Sequence, residues 1–185
     1  MKAEKRPAPT KFDTVGWREL VALPELNIRA MRAKIDTGAR TSAIHAVDQK
    51  VFEKDGQDWV RFRVPASKSH KSLYIEAPIH DRRAIKNTSG IPQTRIIIEV
   101  LMLIGHHKWH IELSLADREN MGFDMILGRT AIRRRKVLVN PGRSFLMGPP
   151  KYVDEHFDLS PTTHPTEERT MAPVQTRKDK KGTER

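Results

Sequence analysis

Apolar residues recur at every second position through much of the chain, a period that predicts strands rather than helices. The alternation is clearest in KWHIELSL, residues 108–115. There Trp109, Ile111, Leu113 and Leu115 fall on one face and His110, Glu112 and Ser114 on the other. Residues 15–23, 28–35 and 72–79 read as further strands. Residues 42–64 read as a hairpin, with Asp55-Gly56 at its tip and Trp59, Phe62 and Val64 on the return arm. Residues 82–104 form two extended arms around a turn signal at 87–90. Late in the chain, DMILGRTAIRRRKVLV has an apolar run ending at Gly128. A brief helix over 129–135 and a strand over 137–139 should follow. Trp17, Trp59 and Phe62 are expected in the core. Many short strands with one short C-terminal helix predict a small closed β-barrel.

Composition bounds this picture. The chain has 185 residues, enough for one domain with a real core. Residues 1–13 are expected to form a loose arm, 14–148 the folded domain, and 149–185 a disordered tail. The tail is poor in large apolar residues and holds five prolines. There are no cysteines, which removes thiolate chemistry and suits a reducing compartment. No apolar run approaches the ~18–20 residues of a membrane span. The N-terminal residues lack the apolar core of a secretory signal. A cytoplasmic protein with no membrane partner is expected.

Charge changes the picture more. The formal net charge is +11. Residues 149–185 carry seven Lys/Arg against seven Asp/Glu, so the whole excess lies on residues 1–148. Such a field favours anionic partners: nucleic acid, a ribosome, an anionic membrane or an acidic polypeptide.

The chemistry centres on AKIDTGARTSAIHA, residues 33–46. Asp36 follows a short strand and begins a turn. Thr37 can bond local backbone, Gly38 permits tight geometry, and Ala39 packs closely. Read alone, the run fits an ordinary turn as well as a catalytic loop. About ninety positions later stands Ile-Leu-Gly-Arg, ending at Arg129. Together with RRAIKNTSG and ADRENMGFDMILGR, these segments resemble the bacterial retropepsin-like aspartic protease family historically labelled "ATP-dependent zinc proteases". The resemblance covers about residues 14–148.

The resemblance implies a retropepsin-like barrel that works as a homodimer, each chain supplying one Asp36 to a shared site. That fits the single copy of the motif, because a lone Asp36 forms no carboxylate pair within one chain. Asp36, Thr37 and Gly38 are the implied catalytic residues. Residues 83–92 are the implied flap, with Thr88, Ser89 and Gly90 at its tip. The family includes a member encoded beside a ligase that adds glutamate to a ribosomal protein. The implied substrate is therefore a glutamate-rich tail on a small-subunit ribosomal protein, reached through transient ribosome contact.

One departure bears on that substrate. Viral relatives follow Asp-Thr-Gly-Ala with acidic residues, which pair with the arginine after Ile-Leu-Gly; here Arg40 follows Ala39. Arg129 must then turn to Asp117 or Asp124, or stay open to a ligand. Ala39, Arg40, Arg83, Lys86, Thr88, Ser89, Gly90 and Arg129 are the expected substrate-binding residues. Lys34, Arg82 and Arg118 are possible helpers for holding glutamate carboxylates.

Other signals are weaker. HHKWH (His106, His107, His110) suggests a metal, but there is no His-Glu-x-x-His, and His107 and His110 differ in strand parity. No phosphate-binding Gly-rich loop with Lys-Ser/Thr occurs. No cofactor and no metal are expected. His45 is expected to be structural. The rival class is a basic β-barrel that binds RNA or the ribosome without catalysis. Such modules interleave exposed aromatics with bases, and aromatics are scarce here.

Overall fold

A computed structural model describes residues 12–67, 70–86, 90 and 92–151. The strands are β1 (Asp13–Gly16), β2 (Arg18–Leu23), β3 (Ile28–Ile35), β4 (Ser42–His45), β5 (Val47–Lys54), β6 (Gln57–Val64), β7 (Leu73–Pro78), β8 (Asp81–Lys86), β9 (Pro92–Ile104), β10 (His107–Ala116), β11 (Met125–Leu127) and β12 (Val137–Asn140). A 3-10 turn occupies Pro24–Leu26 and one short helix, α1, Arg129–Ile132.

Six strands close a ring in the order β10-β4-β11-β3-β2-β9, and β9 pairs back onto β10. This is the closed barrel that the alternation and the family resemblance imply. β8 extends the ring as a flanking strand on β9. A second sheet, β5-β6-β7, closes one side. Its Val60, Phe62, Val64, Ile75 and Ala77 join Ile28, Met31, Ile44, Ile98 and Leu113 in one core. The β5–β6 tip is Asp55 (φ 53°) and Gly56 (φ 74°), both left-handed. Two such residues make the turn whose twist matches a hairpin, which is why Asp-Gly stands there. Among the described residues no helix is long and apolar enough to cross a membrane.

The single strand expected over 15–23 is two strands with different partners. β1 runs parallel to β12, and β2 runs antiparallel to β3 and β9. Glu19 explains the break. Its carboxylate is fully buried and accepts N–H bonds from Gly16 (2.6 Å), Leu146 (2.9 Å) and Met147 (3.3 Å). It therefore holds the β1–β2 corner against the segment after β12. A side chain at Gly16 has no room, since its Cβ would lie 2.4 Å from the Arg143 carbonyl oxygen. β1 also starts at Asp13, inside the arm expected from sequence.

Two further expectations are corrected. The helix ends at Ile132 rather than reaching residue 135, because Arg133 is extended and Arg134 left-handed (φ 65°). The Trp109 indole N–H donates to the Ala131 carbonyl (2.8 Å), meeting part of the helix end's need. Trp17 and Trp59 are half-buried rather than core: Arg18 stacks on the first and Lys54 on the second. Phe62 is fully buried as expected. Most of the expected tail and arm lies outside the described residues.

Glu19 yields a test of the fold. Glu19→Ala leaves three N–H groups without their acceptor, and each unmet buried donor costs about 1–3 kcal/mol. Chemical denaturation should show a loss of roughly 2 kcal/mol or more, with Glu19→Gln losing less. A Glu19→Ala variant as stable as the parent would contradict the anchoring role.

Candidate active site

Asp36 follows the last residue of β3 and opens the loop to β4. These strands are not neighbours: β11 lies between them, parallel to β3 and antiparallel to β4. Residues 36–41 must therefore arch over the end of β11. The arch is fastened main chain to main chain. The Asp36 N–H donates to the Leu127 carbonyl (2.9 Å), and the Arg129 N–H to the Ala39 carbonyl (2.9 Å). Thr130 donates both its N–H (3.1 Å) and its hydroxyl (2.9 Å) to the Arg40 carbonyl. The Gly128 N–H donates to the Ser42 hydroxyl (3.1 Å).

Gly128 is where the arch and β11 touch. A Cβ there would sit 2.6 Å from the Thr41 carbonyl carbon and 2.8 Å from the Arg40 oxygen. Only glycine allows that approach. Arg129 completes the fastening, one Nη1 donating to both the Thr37 and Gly38 carbonyls at 2.8 Å. It finds main-chain oxygens in place of the carboxylate that its neighbours in sequence lack.

Within the arch, Asp36 Oδ1 accepts the N–H groups of Gly38 and Ala39, both at 3.1 Å. Its Oδ2 takes no hydrogen bond among the described residues. Asp36 and Ala39 are half-buried; Thr37, Gly38 and Arg40 are exposed. The loop thus fixes one carboxylate oxygen and leaves the other for a water, a substrate or a second carboxyl group.

The expected carboxylate-binding set divides. Arg83 is fully occupied: it donates to both oxygens of Glu112 (2.7 and 3.1 Å) and to Asp81 (2.8 Å). These bonds hold both carboxyls below, and the guanidinium above, their ordinary ranges. Arg83 thereby ties β8 to β10 across β9. Arg82 pairs with Asp58 (2.9 Å). Arg40 and Arg83 do share a cavity of about 410 Å³, but Glu99 and Glu112 line it too. Lys34 is exposed on β3, and Lys86 ends β8. Thr88 and Ser89, at the expected flap tip, lie outside the described residues; Gly90 is exposed with a left-handed φ of 76°.

Arg118 stands nearer the chemistry. Its N–H donates to Nδ1 of the buried His45 (2.9 Å), and its Nε to the Phe123 carbonyl (3.2 Å). His45 is thus a satisfied structural residue. The Arg118 guanidinium is half-buried and held below the usual arginine range by that burial and by Arg95, with Asp36 and Asp124 acting in the opposite direction. Arg95 was not singled out by the sequence. It is half-buried on β9, two residues before the fully buried Ile97. An arginine set between Thr94 and a run of isoleucines was the available signal.

Asp13, His106 and His107 offer three donor atoms within 4.8 Å of one another. Asp13 Oδ2 lies 2.9 Å from His107 Nε2 and 3.2 Å from His106 Nε2. The group belongs to β1 and the β9–β10 turn, not to the arch. Sequence reading missed Asp13 because it stands 94 residues from His107.

The chain is similar to proteins named "probable alpha-L-glutamate ligase". It is 41% identical to that of Shewanella halifaxensis over 136 residues, 38% to that of Desulfotalea psychrophila over 136, and 40% to that of Parasynechococcus marenigrum over 141. Each match takes in 72–75% of this chain but only 29–30% of the relative, so the chain spans under a third of their length. In fold it is similar to the crystal structure of a protein of unknown function from Legionella pneumophila. The TM-score is 0.62 and the identity 26%, over 73% of this chain and 98% of that one. The family model for the RimB-like retropepsin-like aspartic endopeptidases matches residues 14–150. The arch of residues 36–41 and the Leu-Gly-Arg junction beneath it lie within that match, and the chain belongs to this RimB-like family.

Proposed function

We propose that this protein is an aspartic endopeptidase whose site forms between two copies of the chain and which removes glutamate-rich tails from an acidic polypeptide, a modified small-subunit ribosomal protein being the candidate. The observation that carries the reading is the state of Asp36. One oxygen is fixed by two N–H groups and the other is open among the described residues, on a loop fastened to residues 127–130.

In this reading two Asp36 carboxyls meet across a two-fold axis. Charges that close do not both ionise cheaply, so the pair holds one proton and titrates as a unit. The ionised carboxylate takes a proton from a water as that water attacks the scissile carbonyl. The protonated partner hydrogen-bonds the carbonyl oxygen, and the amine leaves with a proton returned by the pair. Two features support glutamate as the substrate class: the +11 charge carried by residues 1–148, and the relatives' name. Since those relatives are more than three times as long as the match, we infer that the rest of their length carries the ligation and that this domain acts on the same tails.

The same relatives favour a second reading. In a protein named as a ligase, a basic barrel of this kind would serve to bind the tail, or ribosomal RNA beside it, without cutting.

Cleavage decides between the two. The full chain should cleave a peptide ending in several glutamates and not one without them. Asp36→Ala should lower kcat/KM by roughly a thousandfold or more while leaving the fold intact by circular dichroism. A chelator should change nothing. Binding without cleavage would favour the second reading, and activity retained by Asp36→Ala would refute the aspartic mechanism. Gly128→Ala tests the arch: its Cβ must displace Thr41. It should lose at least tenfold in kcat, since small misplacements of catalytic groups are costly. Unaltered kcat would show that the junction does not position Asp36.

A further inference from the structure

Two arginines, Arg95 and Arg118, stand out for the partners their side chains lack among the described residues. Arg95 lies on β9, paired in register with Arg83 on β8. Arg83 is saturated by Asp81 and Glu112. Arg95 Nε is buried and has no hydrogen-bond partner. Arg118 spends Nε on a neutral carbonyl, and among the described residues neither guanidinium has a carboxylate within 4.0 Å. The two sit at one end of the sheet. Ile97, two residues beyond Arg95, pairs with Ser114, and β10 ends at Ala116, two residues before Arg118. Arg118 feels the charge of Arg95, and those of Asp36 and Asp124 in the opposite sense.

Burying an unpaired charge is costly, and arginine has no neutral form to retreat to near pH 7. Arg95 and Arg118 are each half-buried, so part of that cost falls on both, and their like charges repel. Asp36 and Asp124 relieve it only in part, since neither carboxylate comes within 4.0 Å of either guanidinium. An anionic ligand would relieve it, and paired guanidinium forks suit a carboxylate.

We propose that Arg95 and Arg118 form a carboxylate-binding subsite beside Asp36 that holds the side chain of a substrate glutamate next to the scissile bond. The subsite rests on the peptidase reading above and deepens it. It moves specificity from Arg83, which is already paired, and Arg40, whose cavity Glu99 and Glu112 also line, to Arg95 and Arg118, which have no carboxylate within 4.0 Å among the described residues. These residues are specificity-determining; they take no proton and form no bond in the reaction.

Arg95→Gln is the informative variant, because Nε gives up no bond on replacement. The thermal midpoint should be unchanged or higher, since a half-buried charge with an unmet Nε is removed. On a peptide ending in glutamates kcat/KM should fall roughly 10- to 100-fold, the range for losing a charged hydrogen bond. Single Glu→Gln replacements around the cleavage point should reveal one position where wild type prefers glutamate at least tenfold. Arg95→Gln should lose that preference and cleave the Gln peptide nearly as wild type does, so that the losses are not additive. Equal losses on both peptides, or none, would overturn the subsite. If wild type cleaves neither peptide, the peptidase reading fails and binding judges the subsite separately. Tetraglutamate titrated into the full chain by calorimetry should bind at least tenfold more weakly to Arg95→Gln. Equal affinity, or no binding to wild type, would overturn the proposal.

Discussion

The contact between Gly128 and the Arg40–Thr41 main chain is the constraint on which the site depends. β3 and β4 are separated by β11, so the chain that joins them has to cross β11's end. It can do so at that short distance only if the residue below has no side chain. Once the crossing is made, the exposed main-chain groups of the arch meet those of residues 127–130 in register. The buried ends of β11, Met125 and Leu127, hold that junction in the core, contributing roughly 1.5–3 kcal/mol each by burial. Asp36 is held both by this fastening, through its N–H to Leu127, and by its own turn, through the Gly38 and Ala39 N–H groups.

This explains what the sequence could disclose. The strand pattern was legible because one face of nearly every strand is buried, and period-2 alternation records that. The Asp-Gly hairpin was legible because only a few residues suit two successive left-handed positions. The pairing of Asp-Thr-Gly with Ile-Leu-Gly-Arg was legible as a motif, but the reason for it was not. Its two halves are about ninety residues apart and meet only because β11 inserts between strands formed much earlier. Glu19 was illegible for a related cause: its three partners include residues about 127 positions away, and a lone Glu in a strand reads as surface.

The cations show the same limit. Arg40 drew notice because it adjoins the motif, and Arg83 because it lies in the segment expected to form a flap. Counting bases near a motif does not say which are already paired. The structure commits Arg83 to Glu112 and Asp81, Arg82 to Asp58, and Arg129 to two carbonyls. Arg40 and Lys34 stay exposed, while the half-buried cations without a carboxylate partner among the described residues include Arg118, named only as a helper, and Arg95, which the sequence did not single out. A site that must hold a charged ligand is built from charges its own fold leaves uncompensated, at some cost in stability. Such charges are found by asking which partners are missing, a question that only the folded arrangement answers.

The central claim is that Asp36 is half of a site completed by a second chain. It is tested most directly by activity in mixed assemblies of wild-type and Asp36→Asn chains, refolded together at varied ratios and constant total concentration. If each site needs an Asp36 from both chains, kcat should follow the square of the wild-type fraction, leaving about a quarter at an equal mixture. Activity in simple proportion to the wild-type fraction would mean that each chain works alone, and would contradict the account.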